Sequence, residues 1–297
     1  MINQISDYLH STLVGSFCLL IVIQKYGLVA IRDRRGIRPL IWGQSQDKYM
    51  VASESVPMDL LNYSVIRDIF PGETIIFENA QKQPVHFYSE NCKLEPCLFE
   101  YIYFARPDSI IENINVHEAR IFMGQLMAKK IMDECDYSEI DAIVPVPDTR
   151  ITFANGIQDI LKIPLREGFI KNRYIERTFI MENNQIIQRN IRRKLSGIKE
   201  VFEGKNVLIV DDSIVRGNTS RHIIQIARKY GANKVYFASC SPIVKETNKY
   251  GIYIPTKTEL VSFESSKEEI PSTIKFDDVT KQINNLRNTL FEKKNFR

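Results

Sequence analysis

The sequence predicts an α/β protein in which a parallel-sheet domain follows a β-rich amino-terminal part. Three observations carry that reading. Val207-Leu208-Ile209-Val210 is an apolar run that ends in Asp211-Asp212, crosses a short polar turn containing Gly217 and enters the helix-like Arg221-His222-Ile223-Ile224-Gln225-Ile226-Ala227-Arg228. Ala142-Ile143-Val144-Pro145-Val146-Pro147 repeats that order ahead of the loop Asp148-Thr149-Arg150. Short apolar stretches between residues 17 and 61 are spaced like the strands of a separate β layer. Continuous apolar runs bounded by turn residues mark strands buried on both faces, as in parallel sheets.

A chain of 297 residues with 44% apolar residues can bury one large core or two ordinary ones. Its 40 basic and 36 acidic residues leave a formal net charge of +4, too small and dispersed to predict a nucleic-acid binder. The apolar run at residues 13–23 is broken by Gly15 and Ser16 and is too short to span a bilayer. With no secretory signature either, the expectation is a cytoplasmic protein without a membrane partner. Cys18, Cys92, Cys97, Cys135 and Cys240 are scattered and contain no Cys-x-x-Cys pair, which predicts free thiols rather than disulfides or a zinc site.

Taken in order, residues 1–12 read as the polar end of a helix. Residues 17–23 and 27–31 predict two strands joined at Gln24-Lys25-Tyr26. A charged loop from Arg32 to Leu40 leads to strands at 41–43 and 49–52, and Ser53-Glu54-Ser55 offers a cap for a helix at 56–61. Residues 78–96, with Pro84, Pro96 and mixed polar residues, predict a connection between domains. Residues 97–109 predict an aromatic-rich strand closed by Pro107-Asp108, which on residue types alone is core packing.

Residues 116–135 have helical spacing that places Met123, Leu126, Met127 and Ile131 on one core-facing side. The strand at 142–147 and its loop precede a helix at 153–161. Residues 169–181 gather Lys171, Arg173, Tyr174, Arg177 and Phe179 with no steady period. Such a basic, partly apolar loop suits closure over a polyphosphate, or is a surface loop with solvated charges. The cluster at 188–195 lacks the interleaved aromatics that single-stranded nucleic acid would need. A strand at 234–239 ends at Pro242, and a closing helix is expected near residues 281–291.

The loop after Val210 carries the chemistry. It lies at the carboxyl end of a strand, where open α/β sheets bind ligands, and the helix that follows presents free N–H groups suited to a phosphate. Gly217 permits close backbone approach, Thr219 or Ser220 can cap the helix or bond a phosphate oxygen, and Asp211 with Asp212 can take sugar hydroxyls or hydrated magnesium. The plainer alternative is that the acidic pair merely ends a strand and the hydroxyl merely caps a helix.

Residues 207–220 resemble, nearly residue for residue, the phosphoribosyl pyrophosphate (PRPP) motif of type I phosphoribosyltransferases. The form Val-Asp-Asp-Ser-Ile-Val-Arg-Gly is similar to that of the glutamine PRPP amidotransferase family. Gly27-Leu28-Val29-Ala30-Ile31-Arg32-Asp33, Gly36-Ile37-Arg38-Pro39-Leu40, Ala52-Ser53-Glu54-Ser55 and the Arg67–Glu73 segment resemble the second half of that family's N-terminal-nucleophile glutaminase domain. The resemblance, over residues 13–265, implies a partial glutaminase domain at 1–80, a connection at 81–96, a phosphoribosyltransferase domain at 97–265 and a helical tail at 266–297.

The activity implied is formation of 5-phosphoribosylamine from PRPP and ammonia in de novo purine biosynthesis, with PRPP and nucleoside monophosphates as ligands. The resemblance assigns ribose and magnesium contacts to Asp211 and Asp212. It assigns the 5-phosphate to Ser213, Arg216, Gly217, Asn218, Thr219 and Ser220, the departing pyrophosphate to Lys171, Arg173 and Arg177, a pyrophosphate or metal contact to Thr149, and a substrate contact to Tyr174. The family's cysteine nucleophile has no counterpart, since Cys18 sits in an apolar strand, so the chain is expected to lack glutaminase chemistry of its own. A homo-oligomer or association with a glutaminase-bearing chain would cover the unpaired sheet edge.

Some family members carry an iron–sulfur cluster on four cysteines. Only Cys97 matches one of them, so no cluster is expected. Two positions depart from the family: Arg150 stands where serine is usual, and Glu176 where glycine is. Arg150 could bind pyrophosphate, fill its space, or be a surface cation at the start of the next helix. These departures keep open a rival reading, a non-catalytic homologue that binds PRPP or nucleotides or regulates a full-length enzyme.

Overall fold

In the computed structural model, residues 2–78, 83–172, 195–242, 244–247, 256–264 and 278–279 are described. The chain divides into two units, one chiefly Met1–Glu118 and the other chiefly Ala119–Asn248 with Tyr253–Arg297.

The first unit opens with helix α1 (Ile2–Thr12), followed by strands β1 (Cys18–Ile23), β2 (Gly27–Arg32), β3 (Ile41–Ser45) and β4 (Lys48–Ala52). Helix α2 (Val56–Leu60) and strands β5 (Ser64–Asp68), β6 (Glu73–Glu78) and β7 (Val85–Tyr88) follow. These strands form antiparallel sheets in the orders β1-β2-β6-β7 and β4-β3-β5. Period-two alternation along β2 decides the layering. Ala30 joins Trp42, Ile75 and Phe77 in a core shared by the two sheets, while Val29 and Ile31 join Ile76 and Leu9 of α1 on the opposite face.

Three expectations change here. Val85–Tyr88, within the expected connection, is the edge strand paired with β6. Residues 100–104 form a π-helix rather than a strand, because Glu100 turns inward to the Arg38 guanidinium (2.5 Å) and Tyr101 and Ile102 are buried beside it. Ser55 begins α2 without a side-chain cap, and its hydroxyl instead accepts from the Ile110 amide. On β1, Leu20 and Val22 are 50% and 82% exposed.

A charged network is buried in this unit. The Arg32 guanidinium donates to Glu112 and to the carbonyls of Gly36, Arg38 and Ile69, and the Glu112 amide donates to Asp68. Burial first, then the Glu112 charge, pushes the Asp68 carboxyl up to about 6. A carboxyl raised on folding stabilises the native chain fully below its ordinary value near 4, and that stability is lost as pH rises through about 6. Asp68→Asn is therefore expected to flatten the pH dependence between about pH 4 and 6, an effect of roughly 2–3 kcal/mol. Urea denaturation at stepped pH reads it, and an unchanged slope would refute the assignment.

The first unit ends in the short hairpin of β8 (Ile110–Ile111) and β9 (Ile114–Asn115), and helix α3 (Val116–Glu134) follows. Beyond it come β10 (Ala142–Pro145), helix α4 (Ile151–Leu161), β11 (Phe169–Lys171), β12 (Leu195–Gly197), helix α5 (Lys199–Phe202), β13 (Asn206–Asp211), helix α6 (Asn218–Lys229), β14 (Lys234–Ser239), helix α7 (Val261–Glu264) and β15 (Asp278–Val279). The sheet order β10-β13-β14-β15 is parallel throughout, in register Val144↔Ile209 and Ile209↔Phe237.

Both faces of this sheet are covered, which is why its strands are apolar at consecutive positions. Val144, Val207, Ile209, Val235 and Phe237 pack with Ile223, Ile224 and Ala227 of α6. Ile143, Leu208, Val210 and Ala238 face the other way and are equally buried. Helices α3 and α4 meet through glycines: a Cβ on Gly124 would lie 2.1 Å from the Phe153 carbonyl oxygen, and one on Gly156 2.1 Å from that of Ile121. Among the described residues no helix is long and apolar enough to cross a membrane.

Candidate functional site

Parallel pairing of Pro145 with Val210 brings the loops after β10 and β13 out at the same end of neighbouring strands. The first loop carries Asp148, Thr149 and Arg150, and the second carries residues 212–217. β13 delivers Asp211 and Asp212, each 2% exposed. Their backbone is braced by the next strand, since the Cys240 and Ser241 amides donate to the carbonyls of Asp211 and Asp212. Nothing in the sequence pattern marks that brace.

The carboxylates are tied locally. Asp211 Oδ1 accepts from the Asp212 amide, and Asp212 Oδ1 accepts from the Ser213 hydroxyl. Arg150 reaches across from the other loop, its Nε donating to Asp211 Oδ1 at 2.8 Å and lying 2.9 Å from Asp212 Oδ2. The Nε hydrogen serves Asp211, so Asp212 Oδ2 gains charge contact but has no hydrogen bond. Burial first, then the Asp211 charge, raises the Asp212 carboxyl to about 6, with Arg150 pulling it back down. The same burial pushes the Cys240 thiol well above its usual value, which keeps it inert.

After the pair, Ile214 is 3% exposed in the core and pins the middle of the loop. Gly217 adopts a left-handed φ of 73° and is the N-cap of α6. The sequence offered Thr219 or Ser220 as caps, but no side chain caps this helix and Ser220 is buried. Its first amides are thus left facing the loop, at the positive end of a twelve-residue helix. That geometry is suited to a phosphate.

The other expected site residues divide. Thr149 lies in the turn before α4, half-buried. The Lys171 ammonium pairs with Asp148 at 2.6 Å, which places a cation beside the first loop. Asn218 accepts from Arg221, and Arg216 pairs with Glu259 at 2.6 Å, so both have protein partners at present. Arg173, Tyr174, Glu176 and Arg177 lie outside the described residues.

Magnesium takes oxygen ligands at about 2.0–2.1 Å in octahedral array. The face that Asp211 and Asp212 share is filled by the Arg150 Nε at 2.8 and 2.9 Å. The pair expected to hold magnesium holds a guanidinium instead, and the arrangement does not fit a metal between these carboxylates. The sequence flagged Arg150 as unusual but aimed it at pyrophosphate or solvent. The missing clue was the strand register that faces it toward residues 61 positions away.

The strands that hand the acidic pair and the uncapped helix to one edge lie within residues 111–250, which match the family described as Phosphoribosyl transferase domain. The chain is similar to proteins named amidophosphoribosyltransferase. It is 43% identical over 273 residues to the Amidophosphoribosyltransferase of Pasteurella multocida (strain Pm70), covering 90% of this chain and 54% of that one. It is 44% identical over 268 residues to that of Escherichia coli (strain K12), covering 89% and 53%. Among solved structures, glutamine PRPP amidotransferase from B. subtilis complexed with ADP and GMP superposes with a TM-score of 0.86 at 36% identity, covering 99% of this chain and 63% of that chain. The chain thus spans about half the length of the curated relatives it matches.

Proposed function

We propose that the chain is an amidophosphoribosyltransferase-like protein of purine biosynthesis, forming 5-phosphoribosylamine from PRPP and ammonia. The observation that carries this reading is the loop from Asp211 to Ser220: a buried carboxylate pair, a left-handed glycine and an uncapped helix in one strand-loop-helix unit. Asp212 Oδ2, buried without a hydrogen bond, accepts from a ribose hydroxyl, and the α6 amides hold the 5-phosphate. Ammonia attacks C1 as the C1–O bond to pyrophosphate breaks, and the new amine loses one proton. Lys171, with Arg173 and Arg177, takes the charge of the departing pyrophosphate.

The ammonia is supplied from solution or from a glutaminase on an associated chain. Cys18 does not serve as the nucleophile, because burial pushes its thiol up to about 11. A homo-oligomer in the cytoplasm, with nucleoside monophosphates as further ligands, completes the proposal.

The test is pyrophosphate release from PRPP and an ammonium salt at alkaline pH, with and without magnesium. Release is expected, and the double change Asp211→Asn, Asp212→Asn should weaken PRPP by roughly 1.5–3 kcal/mol per charge-assisted bond lost. Unchanged calorimetric affinity in that variant would remove the site. The second reading, a ligand-binding or regulatory homologue without turnover, is favoured by one observation, the Arg150 guanidinium lodged on the acidic pair. PRPP binding without pyrophosphate release would select it.

A further inference from the structure

We propose that Arg150 is a built-in cation of the phosphoribosyl site, holding the place of a divalent metal on Asp211 and Asp212 so that ribose-phosphate ligands bind here without one. The proposal rests on the functional reading above and refines it. Two carboxylates buried side by side repel each other and repel an incoming phosphate. A cation on their shared face offsets both repulsions while leaving the carboxylates ionised.

Arg150 supplies that cation by construction. Its Nε touches both carboxylates, at 2.8 and 2.9 Å, and its side chain is only 18% exposed. The main chain holds it in place as the residue that starts α4, where its carbonyl accepts from the Ala154 amide. A guanidinium stays charged at any working pH and meets carboxylates in fixed planar geometry, unlike a metal that must be recruited from solution. Because Asp212 Oδ2 gets charge compensation without a hydrogen bond, it remains an acceptor for a sugar hydroxyl while the charge is already balanced.

The test uses the full chain, with Mn2+ and ribose 5-phosphate as separate probes. Electron paramagnetic resonance of free Mn2+ is expected to show no saturable binding to the natural chain. Arg150→Ser should gain one Mn2+ equivalent, lost again on adding Asp212→Asn. By calorimetry in chelator, ribose 5-phosphate should bind the natural chain with an affinity that magnesium changes by less than about twofold, and Arg150→Ser should bind about tenfold more weakly until magnesium is added. Arg150→Lys guards against misfolding of the serine variant: it keeps a cation on the pair and should still exclude Mn2+. One Mn2+ bound by the natural chain and lost with Asp212→Asn would overturn the proposal, as would a folded Arg150→Ser chain that gains none. If no variant binds ribose 5-phosphate, the functional reading fails, while the Mn2+ titrations still decide the role of Arg150.

Discussion

Arg32→Ala is expected to destabilise the first unit by about 3–5 kcal/mol, the usual cost of stripping one partner from a buried ion pair. Arg32 is 0% exposed, and its guanidinium serves Glu112 at 2.7 Å, Ile69 at 2.5 Å, and Gly36 and Arg38 at 2.9 Å each. Alanine leaves the Glu112 carboxylate uncompensated close to Asp68 and strands three carbonyls that water reaches poorly. Glu112→Gln in the same chain should recover part of the loss, because the remaining side chain no longer carries a buried charge. Urea denaturation of the two single variants and the double variant reads the coupling. Additive losses would mean that Arg32 acts only through the carbonyls.

Gly156→Val should unfold the second unit or cost it about 3 kcal/mol or more, at the top of the range for overpacked cores. The obstacle is the Ile121 carbonyl oxygen, 2.1 Å from where the new Cβ would stand, and backbone cannot swing aside as a side chain would. Gly124→Val meets the Phe153 carbonyl at the same distance and should behave alike. Helix propensity pushes the other way, since glycine within a helix is worse than other residues by up to about 1 kcal/mol. The sign of the measured change therefore decides between packing and propensity. A midpoint of chemical denaturation equal to that of the natural chain would show that α3 and α4 can part without penalty.

What could be read from the sequence follows from how local each signal is. The strands at 142–145 and 206–211 announced themselves because burial on both faces leaves an uninterrupted apolar run. The hairpin at 18–32 did so because its strands are apolar on each side of a three-residue turn. The acidic loop was legible because its residue types sit next to one another. Residues 100–104 misled because aromatic residues favour strands in general, whereas here a long-range pull from Arg38 decided the backbone. β7 was missed because an edge strand flanked by polar residues and proline looks like a linker. The Arg150 contact was illegible for a different reason: it depends on which two strands are neighbours, and no local pattern states that.

The register that joins Pro145 to Val210 also has a kinetic side. Arg150 and Asp211 are 61 residues apart, and a parallel pair cannot zip from a tight turn, so its contacts close only after the intervening chain has crossed over. Until then the two carboxylates have no counter-charge from Arg150 and gain nothing by leaving water. Completion of the acidic loop is therefore expected late in sheet assembly, with the acidic residues solvated until the strands have paired.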